Sequence, residues 1–185
     1  ERINNTATNN SWDYSGYQNV GKDRGDNIVW TPDGGYDGKG AYQFNDNDFI
    51  SSTIHHNFTA LTFAAWIYPN LTGTNAIIGT IGSAVSTVWS LTSGGLGDLN
   101  LGGSTDGQNA FRNIVYNLNA NEWAHVAVTW DPTGFVAYKN GVQVDSVGTN
   151  LNHYDWGGAA GAFLIGAQRD SGPLNEYNGT IDELL

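Results

Sequence analysis

Apolar and polar residues alternate in short runs that recur about every ten to fifteen residues, separated by clusters of Gly, Asn and Asp. A period of two lets an extended strand bury one face, so evenly spaced runs of this kind predict an all-β architecture. The clearest run is 123–130, where Val126, Val128 and Trp130 share one face and His125, Ala127 and Thr129 the other. Runs at 135–138 and 142–147 flank Lys139-Asn140-Gly141. An Asn-Gly pair between alternating runs predicts a hairpin, because both residues tolerate the positive φ of a type I′ turn. A two-residue loop pairs Lys139 with Val142, Tyr138 with Gln143, Ala137 with Val144 and Val136 with Asp145.

Further strands are predicted at 41–44, 61–68, 76–81, 88–92, 99–101, 163–167 and 180–185. No window shows a helical period, and the 25 Gly residues argue further against helices. The expected fold is two stacked antiparallel sheets, with a barrel as the alternative. Strand parity places Phe63, Ile67, Val126, Val128, Trp130, Phe135, Val144 and Phe163 in the core between the sheets. It places Trp66, Tyr68, His125, Tyr138 and Gln143 on the opposite faces of their strands.

Composition narrows the function. At 185 residues the chain suits one domain, large enough to hold a core without staples. Cys is absent, which removes disulfide frameworks, thiolate zinc clusters and Cys nucleophiles. The formal charge is −11, from 18 acidic and 7 basic residues. Such a surface repels phosphate backbones and anionic membranes, so nucleic acid is not an expected partner. No apolar run approaches the ~20 residues that span a bilayer, and membrane insertion is not expected. The chain starts at Glu1 and contains no Met, so the expectation is a removed leader or a piece of a longer protein. Five Asn-x-Ser/Thr sequons, at Asn4, Asn9, Asn57, Asn70 and Asn178, agree with an extracellular or cell-surface location.

Several stretches carry a resemblance. They are Leu-Thr-Phe-Ala-Ala-Trp-Ile-Tyr-Pro (61–69), Glu-Trp-Ala-His-Val-Ala-Val-Thr-Trp-Asp (122–131) and Val-Ala-Tyr-Lys-Asn-Gly-Val-Gln-Val (136–144). Phe-Leu-Ile-Gly-Ala (163–167) and Asn-Gly-Thr-Ile-Asp-Glu (178–183) close the pattern, and two upstream stretches, 13–19 and 38–49, open it. In this order they resemble the laminin-G-like branch of the concanavalin A-like lectin/glucanase superfamily, from about residue 12 onward. The resemblance implies a two-sheet antiparallel jelly-roll sandwich, often with a calcium site, that binds carbohydrate or protein. Residues 1–11 form a polar N-terminal arm outside the resemblance, and 12–185 the sandwich domain.

Catalysis is not expected. Glycoside hydrolysis needs two carboxylates about 5–10 Å apart across one bond. The Glu-x-Asp-x-x-Glu strand of hydrolases on this fold is absent, as is the Arg-x-Glu-x-Arg strand of its lyases. The four His residues show no zinc-ligand spacing. The expected function is a non-catalytic carbohydrate-binding or adhesion module whose partner is a glycan or surface polysaccharide.

Two places could hold the sugar. Trp66, on a face of small and polar residues, is either a stacking platform or a ring packed under covering loops. The run His153, Tyr154, Asp155 and Trp156 lies in a loop at the end opposite the Asn140-Gly141 turn, where loop residues are disproportionately functional. Trp156 either meets ligand there or tucks onto the sandwich edge. An alternative reading is a structural subunit of a surface fibre, in which residues 1–11 add a strand to another copy of the chain. The resemblance also implies calcium, held by Asp182 with Asp13 and Asn19 from the opening turn. Otherwise Asp13 and Asp182 hydrogen-bond turn amides, as Asp residues commonly do.

Overall fold

The computed structural model describes residues 10–12, 19–25, 28–45, 47–52, 60–71, 75–80, 88–91, 99–105, 108–114, 116–131, 133–148, 163–167 and 176–184. Among these residues there are fifteen strands and no helix. The first eight are β1 (Asn10–Trp12), β2 (Val20–Arg24), β3 (Val29–Thr31), β4 (Ala41–Phe44), β5 (Phe49–Ser52), β6 (Leu61–Pro69), β7 (Asn75–Thr80) and β8 (Val88–Leu91). The rest are β9 (Leu99–Thr105), β10 (Gln108–Ile114), β11 (Ala124–Asp131), β12 (Gly134–Lys139), β13 (Val142–Val147), β14 (Phe163–Ile165) and β15 (Gly179–Asp182).

They form an eight-stranded sheet, ordered β1-β2-β5-β14-β7-β8-β9-β10, and a seven-stranded sheet, ordered β13-β12-β11-β6-β15-β4-β3. Neighbours are antiparallel throughout, as in β11 against β6 and β14 against β7. Asn10 and Ser11, at the end of the polar arm, run in β1 and pair with β2 of the same chain.

Alternation along the strands builds the core. On β11, Val126, Val128 and Trp130 are buried while His125, Ala127 and Thr129 are half-buried on the outer face. Phe63, Ala65 and Ile67 on β6 and Ile181 on β15 face the same interior. Phe63 meets Phe163 of the opposite sheet edge-on, with centroids 5.9 Å apart, and Phe44 meets Tyr177 at 6.2 Å in the same manner. Edge-to-face pairs contribute about 0.5–1.5 kcal/mol beyond their buried area, so the Phe63–Phe163 pair helps fix how the sheets face each other. Tyr116 is buried at the margin of this core and donates its hydroxyl hydrogen bond to the Ala127 carbonyl at 2.8 Å.

Seven of the eight expected core residues are buried; Val144 is not. The hairpin begins as expected, with Lys139 opposite Val142 and Tyr138 opposite Gln143, but a bulge then puts Asp145 opposite Ala137. The extra residue leaves Val144 unpaired and reverses the parity beyond it. Val144 is 37% exposed on an edge strand, and Val142 is 67% exposed. The turn itself is as predicted: Asn140 and Gly141 have φ of 49° and 79°. No helix among the described residues is long and apolar enough to cross a membrane.

Candidate functional site

The outer face of the seven-stranded sheet is where side chains with chemistry gather. β6 presents Thr62, Ala64, Trp66 and Tyr68 there, and β11 sets His125 opposite Trp66, Ala127 opposite Ala64 and Thr129 opposite Thr62. β15 adds Asp182 beside Trp66 and Thr180 beside Tyr68. The 32–40 loop, between β3 and β4, folds back over this face. It is closed by hydrogen bonds from Gly34 N to the Thr31 carbonyl (3.0 Å) and from Gly40 N to the Gly34 carbonyl (2.8 Å).

The loop delivers Tyr36. Its ring stacks on Trp66 with centroids 3.4 Å apart and planes 8° from parallel. Its backbone N–H donates to Asp182 Oδ2 at 3.0 Å. Gly35 makes this approach possible, since it has φ of 89° and a Cβ there would stand 2.6 Å from Asp182 Oδ2 and 2.8 Å from the Gly40 carbonyl oxygen. Asp182 is only 3% exposed, a buried carboxylate beneath the loop.

Other rings complete the wall. Trp123 stands edge-on to Tyr36, with centroids at 6.4 Å and 74° between planes, and tilts against Tyr68 at 5.4 Å. His125 packs edge-on against Trp66 at 5.2 Å. The hairpin turn is fastened to this wall from both sides. Asn140 N donates to the His125 carbonyl (2.8 Å), and His125 N donates to Asn140 Oδ1 (2.9 Å). Together Tyr36, Trp66, Trp123, His125, Asn140 and Gly141 line an open cleft of about 550 Å³. A cleft of this volume accommodates a small ligand, with aromatic faces for apolar area and a few polar groups to orient it.

A second cavity, of about 380 Å³, lies toward the other end of the same sheet. Thr62, Thr129, Asp131, Thr133 and Ser146 line it, and its two rings, Trp130 and Phe135, belong to the buried core. Thr133 N and Oγ1 both donate to Asp131 Oδ1, which holds that carboxyl below its usual range.

Of the ligand-binding residues singled out in the sequence, Trp66 is in the cleft, but Tyr36 covers its stacking face. The exposed platform is Tyr36 itself, 53% accessible to solvent. His153, Tyr154, Asp155 and Trp156 lie outside the described residues, as does Asp13. Asn19 heads β2 in the eight-stranded sheet, whereas Asp182 closes β15 in the other. Asp182 accepts from Tyr36 N of the 32–40 loop, with the Gly40 carbonyl oxygen also beside Gly35. A buried carboxylate beside a backbone carbonyl suits a hard, oxygen-seeking cation such as calcium. The sequence reading missed Tyr36 and Trp123. Trp123 has the outward parity of His125, and Tyr36 is a lone ring in a Gly-rich loop.

Comparison with known proteins agrees with this architecture. A laminin-G family model described as the concanavalin A-like lectin/glucanases superfamily matches residues 36–185, and the chain belongs to that family. No curated protein matches the chain. Domain 4 of AbnA, an extracellular arabinanase from Geobacillus stearothermophilus solved in complex with arabinotriose, superposes with a TM-score of 0.65. It is 22% identical, over 86% of this chain and 74% of that one. A botulinum neurotoxin type C structure, from work on cell entry dependent on two ganglioside molecules, gives 0.68 at 15% identity, over 100% of this chain and 45% of that one. The enzymatically active domain of tailspike protein 2 from bacteriophage CBA120 gives 0.62 at 12% identity, covering 85% and 27%. The chain thus spans less than half the length of the toxin and tailspike structures. At these identities the likeness is one of fold.

Proposed function

We propose that this chain is a non-catalytic, extracellular carbohydrate-binding module whose sugar site is the cleft between Tyr36, Trp123 and the Asn140-Gly141 turn. One observation carries the reading: Tyr36 is backed by Trp66 and presents its other face to a cleft walled by a second Trp. Sugar rings have apolar C–H faces that stack on such rings, and hydroxyls that take hydrogen bonds from polar neighbours. Asn140 supplies the polar contact, because its side-chain oxygen is engaged by His125 N while its amide NH₂ is a donor. The arabinotriose complex and the ganglioside-dependent toxin among the structural neighbours support a glycan as the ligand. Asp182, a carboxylate beside the cleft, sits behind Tyr36 and bonds its N–H, a supporting rather than a catalytic post. Calcium at Asp182 belongs to the same proposal, tying the 32–40 loop to β15 and so holding Tyr36 in place. The fibre-subunit alternative is less favoured, since Asn10–Trp12 pairs within its own chain.

A glycan array probed with the intact chain, with and without chelator, tests the reading. Binding to a defined set of oligosaccharides that Tyr36→Ala removes is the expected result. No binding to any glycan, with or without calcium, would overturn it.

A further inference from the structure

From the placement of charge around the cleft, we infer that the ligand is a neutral glycan, not one bearing uronate, sialate or sulfate groups; this rests on the cleft being the sugar site. The chain has 7 Lys and Arg residues, and the structure distributes them unevenly. Lys22 and Arg24 are in β2 and Arg112 is in β10, all in the eight-stranded sheet on the far side of the core. Arg2 and Arg169 lie outside the described residues. Among the described residues that leaves Lys39 in the 32–40 loop and Lys139 at the end of β12, opposite the inward-facing Val126, and both are engaged. Lys39 Nζ pairs with Asp37 Oδ2 at 2.7 Å, and Lys139 Nζ donates to the Asn117 carbonyl at 2.6 Å.

The acids near the cleft point the same way. Asp182 lies directly behind Tyr36, and Glu122 is next in sequence to Trp123, accepting from Asn119 Nδ2 at 2.6 Å. None of the six described residues lining the cleft is Lys, Arg, Asp or Glu. An acidic sugar entering here would give up water around its charge and find no guanidinium or ammonium among the described lining residues to replace it. It would also approach a chain of formal charge −11. A neutral sugar meets neither cost. The stacking surface and the Asn140 amide serve its C–H faces and hydroxyls without any charged partner.

The test is titration of the intact chain with galacto-oligosaccharides and arabino-oligosaccharides, against oligogalacturonides and sialylated or sulfated galactosides of matched length, at low and high salt. The expected result is binding of neutral sugars, insensitive to salt and lost in Tyr36→Ala, with acidic counterparts at least about tenfold weaker. Acidic sugars binding as well or better, weakened by salt and dependent on Tyr36, would overturn the inference and leave the glycan reading intact. If neither class binds, the glycan reading fails and the inference with it.

Discussion

Tyr36 and Trp66 lie face to face, 3.4 Å between centroids, with Trp66 as the foundation and Tyr36 as the exposed ring over the cleft. Their substitutions should therefore separate. Tyr36→Ala removes a ring that is 53% exposed, and should lower sugar affinity by about tenfold or more while the urea midpoint stays nearly unchanged. Trp66→Ala should instead cost ~2 kcal/mol in urea unfolding, less than a fully buried Trp because Trp66 is half-buried. Equal loss of stability in both variants would contradict this division of roles.

The Asn140-Gly141 turn forms one rim of the cleft, and its backbone is the reason Gly is there. A Cβ at Gly141 would meet nothing within 4 Å, so Gly141→Ala tests conformation alone, at φ of 79°. The expected loss is about 1 kcal/mol, read by chemical unfolding. A neutral or stabilising substitution would mean that the turn does not hold this conformation in solution.

Calcium at the proposed Asp182 site should raise the melting temperature by mass action on the folded state. Asp182→Ala should abolish that rise and also weaken sugar binding, because Tyr36 N loses its acceptor. A melting curve unchanged by excess chelator, with Asp182→Ala equally stable, would exclude the site.

Asp131 carries a pH signature. Hydrogen bonds from the Thr133 hydroxyl and N–H favour its ionised form, so its folded pKa is depressed. The stability it contributes is present above the unfolded carboxylate pKa and is lost as pH falls through the depressed folded value. In Thr133→Val the carboxyl should titrate at higher pH than in the parent, as followed by carbon NMR of Asp131. An identical titration in both proteins would rule out the Thr133 hydroxyl as the cause.

Much of the fold was legible because burial has a period of two. The parity of β6 and β11 placed Phe63, Ile67, Val126, Val128 and Trp130 inward and Trp66 and His125 outward, as found. Val144 was misplaced because a bulge at an edge strand leaves no mark in the alternation. Strands β1, β2, β3, β5 and β10 were missed because they are short or mixed in polarity, so the alternation that marks β6 and β11 is weak in them. The site was half legible. Trp66 stood out by parity, but the ring that covers it comes from a loop thirty residues earlier, at Tyr36. Such a contact depends on the path of the 32–40 loop, which Gly35 sets and no periodicity encodes.

The location of the sugar site is the central claim, and an NMR titration of the labelled chain with neutral oligosaccharides tests it most directly. Amide and ring shifts should concentrate at Tyr36, Trp123, His125, Asn140 and Gly141, with Asp131–Gly134 at the other end unmoved. Shifts confined to the Asp131–Gly134 end and to residues 153–156, with Tyr36 and Trp123 silent, would contradict it.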